Sequence, residues 1–372
     1  MAFIPVNEPR LDGNEERYLL ECVRTGWISS EGPFVARLEE GLARRMGRGH
    51  AIAVCNGSAA LDAAVAALRL GPGDEVILPA HTIISCASAV VRAGATPVLT
   101  DCDPATWNMT AEAVAERITP RTKAVMAVHI FGLPAPMGGI LPLAEKHGLA
   151  VIEDAAEAIG QTCSGAPCGG LGDISCLSFY PNKLVTTGEG GMLLTDDDRL
   201  AERCRSLRNL CFQKRRFIHE ELGWNLRMSN LQAAVGVAQL ERLDQSIVRK
   251  RAIGALYQRL LAGTPGLLLP PAATPDAENL YWVFGVVLDD DVPFDADEAM
   301  RRLAEDGVGT RPFFWPLHEQ PVFRRMGLFA GDRHPVSERI GRRGFYLPSG
   351  LGATDEQIEI SADRLRRMLE RG

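Results

Sequence analysis

Between about residues 50 and 200, short apolar runs alternate with stretches of helical period, and few folds accept that pattern. "HAIAVC" reads as a strand and "NGSAALDAAVAALRL" as the helix that follows it. The pairs "DEVILPA" and "TIISCASAVVRAG", "TPVLTDCD" and "TAEAVAERI", and "TKAVMAVHIFG" and "ILPLAEKHG" repeat the motif. "LAVIEDAAEAIG" opens with a further strand, and "ISCLSFY" and "GGMLLTDD" add two more. The strand runs are apolar throughout rather than alternating, as strands covered on both faces must be. The segment predicts an α/β sheet with crossover helices.

From Ser229 the pattern changes. "NLQAAVGVAQLERLDQSIVRKRAIGALYQRLLAG" keeps a helical period over more than about eight turns and stops near Gly263-Thr264-Pro265, which predicts one long helix bridging two domains. Beyond it, the strand-like "LYWVFGVVLDD" and the helical "DADEAMRRLAED" and "DEQIEISADRLRRMLE" read as a smaller α/β domain. The expected division is a large domain over residues 1–245, with an N-terminal arm over about 1–30, and a C-terminal domain over 246–372. A chain of 372 residues is long enough for both cores.

Charge and cysteine usage remove several function classes. A net charge of −7 argues against a nucleic-acid partner, which calls for a basic surplus. Nine cysteines, an odd number without framework spacing, fit reduced thiols in a cytoplasmic protein. "CSGAPC" has no second ligand pair near it, so no metal site is expected. No signal-peptide pattern and no apolar run of spanning length is present, so no membrane association is expected.

The chemistry gathers where strands end. In "SFYPNKLVTTGEGG", Lys183 follows a short apolar strand. Its plain reading is a solvated loop lysine; its sharper reading is an amine held out of water, with a lowered pKa, able to form a Schiff base. "CNGSAAL" runs a strand into Asn56-Gly57-Ser58 and then a helix, whose N-terminus offers free N–H groups to a phosphate, unless it is only a capped helix start. "GLAVIEDAAEAIG" puts Glu153 and Asp154 at a strand's C-terminal end, the ligand-binding edge of an open parallel sheet. A carboxylate there can keep a pyridine nitrogen protonated, or can merely cap the next helix. Glu157, three residues on, would share a helical face with Asp154. Ser178 stands five residues before Lys183, within reach of a phosphate, and Gly188, Gly190 and Gly191 would let backbone approach a ligand closely. Phosphate cradle, strand-end aspartate and post-strand lysine thus occur in the order that pyridoxal phosphate needs.

The blocks "GWISSEGPFVARLEE", "CNGSAAL", "GPGDEVILPAHT", "GATPVLTDCDP", "ITPRTKAVMAVHIFG", "VIEDAAEAIG", "LGDISCLSFYPNKLVTTGEGGML" and "GWNLRMSNLQAAVGVAQLERLD" resemble the DegT/DnrJ/EryC1/StrS family of sugar aminotransferases, from about residue 10 to residue 245 and more weakly to the end. The resemblance implies the fold type I of pyridoxal-phosphate aminotransferases: a large domain with a mostly parallel seven-stranded sheet and a smaller C-terminal α/β domain. It implies that Lys183 bonds the cofactor and shuttles a proton, that Asp154 pairs with the pyridine nitrogen, and that Glu157 lies near the ring hydroxyl. Gly57, Ser58 and Ser178 would hold the phosphate, and Asn225 would reach the phosphate in the neighbouring subunit, so the sites would be shared in a homodimer. His318, in "FFWPLHEQP", would lie by the sugar.

Two positions depart from the family's usual pattern. Ile83 stands where relatives carry an aromatic residue that stacks on the ring; it would cover the ring face, with His81 a candidate to compensate. Glu157 stands where many relatives have glutamine or histidine, so it must be protonated or paired with a cation. A branch of the family replaces the lysine with histidine and dehydrates the sugar; Lys183 places this chain on the aminating side. The implied partners are L-glutamate and a nucleotide-linked ketosugar. "RLDGNEERYLLECVRTGWISS" and "TTGEGG" favour amination at C4 of GDP-4-keto-6-deoxymannose, with dTDP- or UDP-linked sugars and C3 amination as alternatives. Arg215, Arg216 and Arg311 are candidates for the nucleotide diphosphate on composition alone. A pyridoxal lyase acting on cysteine lacks a marked catalytic thiol here, and a non-catalytic regulator of the same fold would have no need of Lys183, Asp154 and Ser178 together.

Overall fold

The computed structural model describes residues 3–215 and 217–371. Seven strands form the large sheet: β1 His50–Val54, β2 Glu75–Pro79, β3 Thr96–Thr100, β4 Thr122–Val128, β5 Ala150–Asp154, β6 Ile174–Ser178 and β7 Gly191–Thr195. Their spatial order is β1-β7-β6-β5-β4-β2-β3. All run parallel except β7, which is antiparallel to both its neighbours. This is the mostly parallel seven-stranded sheet expected, and each apolar run of the sequence supplies one strand. Val76, Ile77 and Leu78 in β2 and Ala124 to Ala127 in β4 have no accessible surface, which accounts for the absence of polar alternation.

The expected single helix from Ser229 is instead two, Asn230–Leu240 and Leu243–Leu261. Neither glycine nor proline marks the break. Tertiary contacts make it: Glu241 accepts hydrogen bonds from the Tyr18 hydroxyl and the Asn14 amide, each at 2.6 Å, while Arg242 pairs with Asp12. The N-terminal segment thus holds the two residues where the helical path stops, and periodicity alone cannot register that.

The second sheet is antiparallel and four-stranded: β8 Leu267–Leu268, β9 Phe284–Leu288, β10 Arg311–Pro312 and β11 Gly344–Leu347, in the order β8-β9-β11-β10. Tyr257, Phe284 and Phe345 are fully buried in the core between this sheet and its helices, and the buried members of that core run from Ile253 to Met368. The start of the chain returns to it, since Ile4 bridges Val308. Among the described residues no helix is long and apolar enough to cross a membrane.

Glu153 shows how the sheet's edge is held in shape. It is fully buried, and its carboxylate accepts N–H bonds from Gly169, Leu171 and Gly172, a hydroxyl bond from Ser175, and a contact from His129 at 2.9 Å. His129 Nδ1 accepts the Ala135 N–H, so the ring's Nε2–H donates to Glu153. Burial pushes the Glu153 pKa up, but His129 and the surrounding donors outweigh it and bring the group down to about 2. A folded-state pKa below the unfolded value of 4.5 gives stability that is present above pH 4.5 and lost as pH falls toward 2. That interval is expected to remove about 3 kcal/mol. In Glu153→Gln, denaturant midpoints are expected to be lower at neutral pH and their acid-side slope shallower than in the wild type.

Candidate active site

A cavity of about 520 Å³ opens at the C-terminal edge of the large sheet. Its floor comes from three strand ends. After β1, Asn56 caps the Gly57–Ala67 helix by accepting the Ala59 N–H at 2.8 Å, so the N-cap is Asn56 and the Ser58 hydroxyl is spared. The first N–H groups of that helix have no intrahelical acceptor, and Gly57 and Ser58 line the cavity. Ser58 Oγ lies 2.7 Å from Ser85 Oγ on the neighbouring helix. A Cβ at Gly57 would fall 2.8 Å from Ser178 Cβ, and one at Gly191 would fall 2.5 Å from the Asn56 carbonyl oxygen. Gly191 therefore lets β7 press against the cradle's own backbone. These close approaches gather Gly57, Ser58 and Ser178 into one polar corner.

On the opposite wall, Asp154 ends β5 with its side chain out of water. Its Oδ1 accepts the Ala156 N–H at 3.0 Å and its Oδ2 faces the Cys86 thiol at 3.2 Å. Burial raises its pKa, with these donors and Lys183 opposing. Glu157 does not share a helical face with Asp154, because residues 155–160 form turns. The Ala156 N–H bonded to Asp154 bends the chain instead, and Ala158 N–H continues the turn by bonding the Ala155 carbonyl. The two carboxylates converge all the same. Glu157 Oε2 accepts the Phe131 N–H at 2.9 Å, and Oε1 lies 3.6 Å from Lys183 Nζ. Phe131 adopts φ 55°, a backbone conformation that bulky residues avoid, in the turn after β4.

Lys183 sits in the turn after β6, where its N–H bonds the Tyr180 carbonyl. Its side chain is only 10% exposed, between Glu157 and the Trp282 ring, whose centroid is 3.6 Å from Nζ. Trp282 is fixed in turn by its Nε1–H bond to the Asn182 carbonyl at 2.8 Å. Burial lowers the lysine's pKa, with Glu157 and Asp154 opposing. Burial likewise raises the Glu157 pKa, against the pull of Lys183. The buried carboxylate thus stands beside a cation, one of the two conditions set by the sequence for this position.

Ile83 lines the cavity at its mouth and is 43% exposed. His81 does not line it: the ring is buried among Phe131, Phe313 and Phe314, and burial pushes its pKa down to about 3. Asn225 also lies outside, exposed and bonded through Oδ1 to Arg227. His318 is outside too, buried with Nε2 at 3.1 Å from Glu338 and its ring against His334. Arg215 is exposed and does not line the cavity, Arg216 lies outside the described residues, and Arg311 directly precedes the lining residue Pro312. Sequence reading missed Ser85, Phe131, Trp282, Phe314 and Tyr346, all of which line the cavity. Ser85 opens a helix just after a strand end, a signal that was available. The aromatic residues arrive through long-range packing and carry no local mark.

These residues fit pyridoxal phosphate: an amine out of water, a buried carboxylate with no lysine or arginine ion-paired to it among the described residues, and a helix N-terminus in a corner that a Cβ would fill. The chain belongs to the DegT/DnrJ/EryC1/StrS aminotransferase family, whose model matches residues 9–366. It is 42% identical to the GDP-perosamine synthase of Caulobacter vibrioides over 357 residues, 96% of this chain and 95% of that one. It is 39% identical to the GDP-perosamine synthase of Vibrio cholerae, over 96% of each chain. The fold matches the crystal structure of the aminotransferase TlmJ from Streptoalloteichus hindustanus with a TM-score of 0.92 at 33% identity, over 99% of both chains.

Proposed function

We propose that the protein is a pyridoxal-phosphate aminotransferase that moves an amino group from L-glutamate to C4 of GDP-4-keto-6-deoxymannose, releasing 2-oxoglutarate and GDP-perosamine. The observation that carries this reading is Lys183, held out of water between Glu157 and Trp282 at the edge of the sheet. The named relatives supply the sugar and its nucleotide. When bound, pyridoxal phosphate supplies an electrophilic carbon and a ring that draws electron density from the carbon bearing the amino group. Asp154 would hold the proton on the ring nitrogen, and Glu157 would stand by the ring hydroxyl. The helix N-terminus at Gly57 and Ser58, with Ser178, would hold the phosphate. Lys183 Nζ takes the proton from the α-carbon of glutamate in one half-reaction and delivers one to C4 of the sugar in the other. Ile83 would cover the ring face, while the aromatic wall of Phe131, Phe314, Trp282 and Tyr346 would keep water from Lys183. Incubation with pyridoxal phosphate, L-glutamate and GDP-4-keto-6-deoxymannose is expected to yield, by mass spectrometry, a product in which the ketone has become an amine. Turnover of dTDP- or UDP-linked ketosugars alone would discard the GDP assignment.

The reading extends to a cytoplasmic homodimer with shared sites. Asn225 is exposed on a segment that also presents Ile218, Leu222 and Trp224 to solvent, and Leu222 is 94% exposed. Such a row of apolar side chains beside a polar one suits a surface covered by a second copy. His318, engaged with Glu338, would act on the sugar only from behind the cavity wall. If Asn225 serves the partner's phosphate corner, Lys183→Ala and Asn225→Ala damage different halves of each site. Mixing the two inactive proteins after mild dissociation is expected to restore about a quarter of wild-type activity, because half the dimers are mixed and each carries one intact site. No recovery, with mixed dimers shown by native mass spectrometry, would confine each site to one chain.

A further inference from the structure

Cys86 is fully buried in the Ile84–Arg92 helix and does not line the cavity, yet its sulfur reaches Asp154, a carboxylate that does. Sγ lies 3.2 Å from Asp154 Oδ2, and the Thr82 hydroxyl lies 3.5 Å behind it. The other carboxylate oxygen is taken by the Ala156 N–H. We infer that Cys86 is a positioning residue for Asp154, whose S–H fixes the carboxylate's rotation and keeps it an anion, so that a pyridine nitrogen facing it carries the proton. The inference rests on the reading of Asp154 given above and goes beyond it.

Three observations support it. Asp154 is out of water, and among the described residues no arginine or lysine forms an ion pair with it; Lys183, which also lines the cavity, is paired with Glu157. A buried carboxylate in that position needs donors to remain charged. Neutral donors suit the task better than a cation, because a guanidinium would stabilise the anion and also repel a protonated ring. Finally, the thiol is a donor that stays protonated: burial and the neighbouring Asp154 charge push its pKa well above the ordinary range. Thr82 completes a short line, Thr82–Cys86–Asp154, from helix start to strand end. Removing the S–H would make Asp154 the better base, and the proton shared with the ring nitrogen would move onto the carboxylate.

The test is 15N NMR of the holoprotein reconstituted with pyridoxal phosphate labelled at the ring nitrogen, recorded from pH 6 to pH 9. Four proteins are compared: wild type, Cys86→Ser, which keeps a donor, Cys86→Val, which keeps bulk without one, and Asp154→Asn. Circular dichroism confirms folding, and fluorescence titration gives the affinity for the cofactor. Wild type and Cys86→Ser are expected to hold the protonated resonance across the range. Cys86→Val is expected to move toward the neutral-pyridine position, with cofactor affinity reduced about tenfold, the effect of one hydrogen bond to a charged group. If Cys86→Val keeps the wild-type resonance while Asp154→Asn shifts it, the role given to Cys86 is overturned and that of Asp154 stands. If Asp154→Asn leaves the resonance in place, the reading of Asp154 fails, and the inference fails with it.

Discussion

Lys183→Ala is expected to lower transamination by roughly a thousandfold or more, the scale of losing a positioned proton-transfer group. Among the described residues lining the cavity Lys183 is the only lysine or arginine, so no neighbouring cation can substitute for it. The wild-type holoprotein should absorb in the visible region, and the variant should lack that band after reconstitution. Single-turnover rates with L-glutamate would give the magnitude directly. Full activity in the variant would remove the central assignment. Arginine at the same position is not a milder change, since its guanidinium does not lose its proton under these conditions. The lysine can, because burial already favours its neutral form.

Asp154→Asn is expected to slow both half-reactions by roughly a hundredfold, the scale on which removing one preorganised electrostatic partner of a transition state is felt. The side chain keeps its shape, and its amide oxygen can still accept the Ala156 N–H now bonded to Oδ1. What it loses is the negative charge that, on the proposed reading, would make a protonated ring nitrogen favourable. The loss should therefore appear in the rate of proton removal, with a primary isotope effect using α-deuterated glutamate, and less in the affinity for the nucleotide sugar. An unchanged isotope effect together with an unchanged rate would mean that the charge on Asp154 takes no part.

Much of this arrangement is legible in the chain, and the reasons differ by element. The seven strands are visible because double-sided burial writes unbroken apolar runs, and the Asn56 cap is visible because its reach is local. Glu153 and Asp154 are neighbours with opposite employment: one is consumed by the loop at 169–172, the other lines the cavity. Successive side chains on a strand point to opposite faces, so a division was implied, but only the packing says which carboxylate faces which way. Trp282 lies about a hundred residues from Lys183, and nothing near it in the sequence announces a cation over its ring. The break at Glu241 and Arg242, likewise, is set by Tyr18, Asn14 and Asp12 more than two hundred residues away. Glu157 reaches the cavity through a turn rather than through the helix expected from its spacing.

The reversed direction of β7 has one more consequence. Because it runs against β6, Gly191 pairs with Ser178 at the same rim where β6 ends. The segment carrying Lys183 is therefore a closed loop, clasped at both ends by the sheet, and Phe179 and Gly190 reinforce the clasp with a 2.8 Å backbone bond. On the reading proposed above, the lysine would have to let go of its cofactor in every catalytic cycle and later take hold again. A side chain on an open linker would wander in the interval, and each return would be a search. Clasped as it is, Lys183 would stay at high effective concentration beside the carbon it had just left, and only its own four methylenes would need to move.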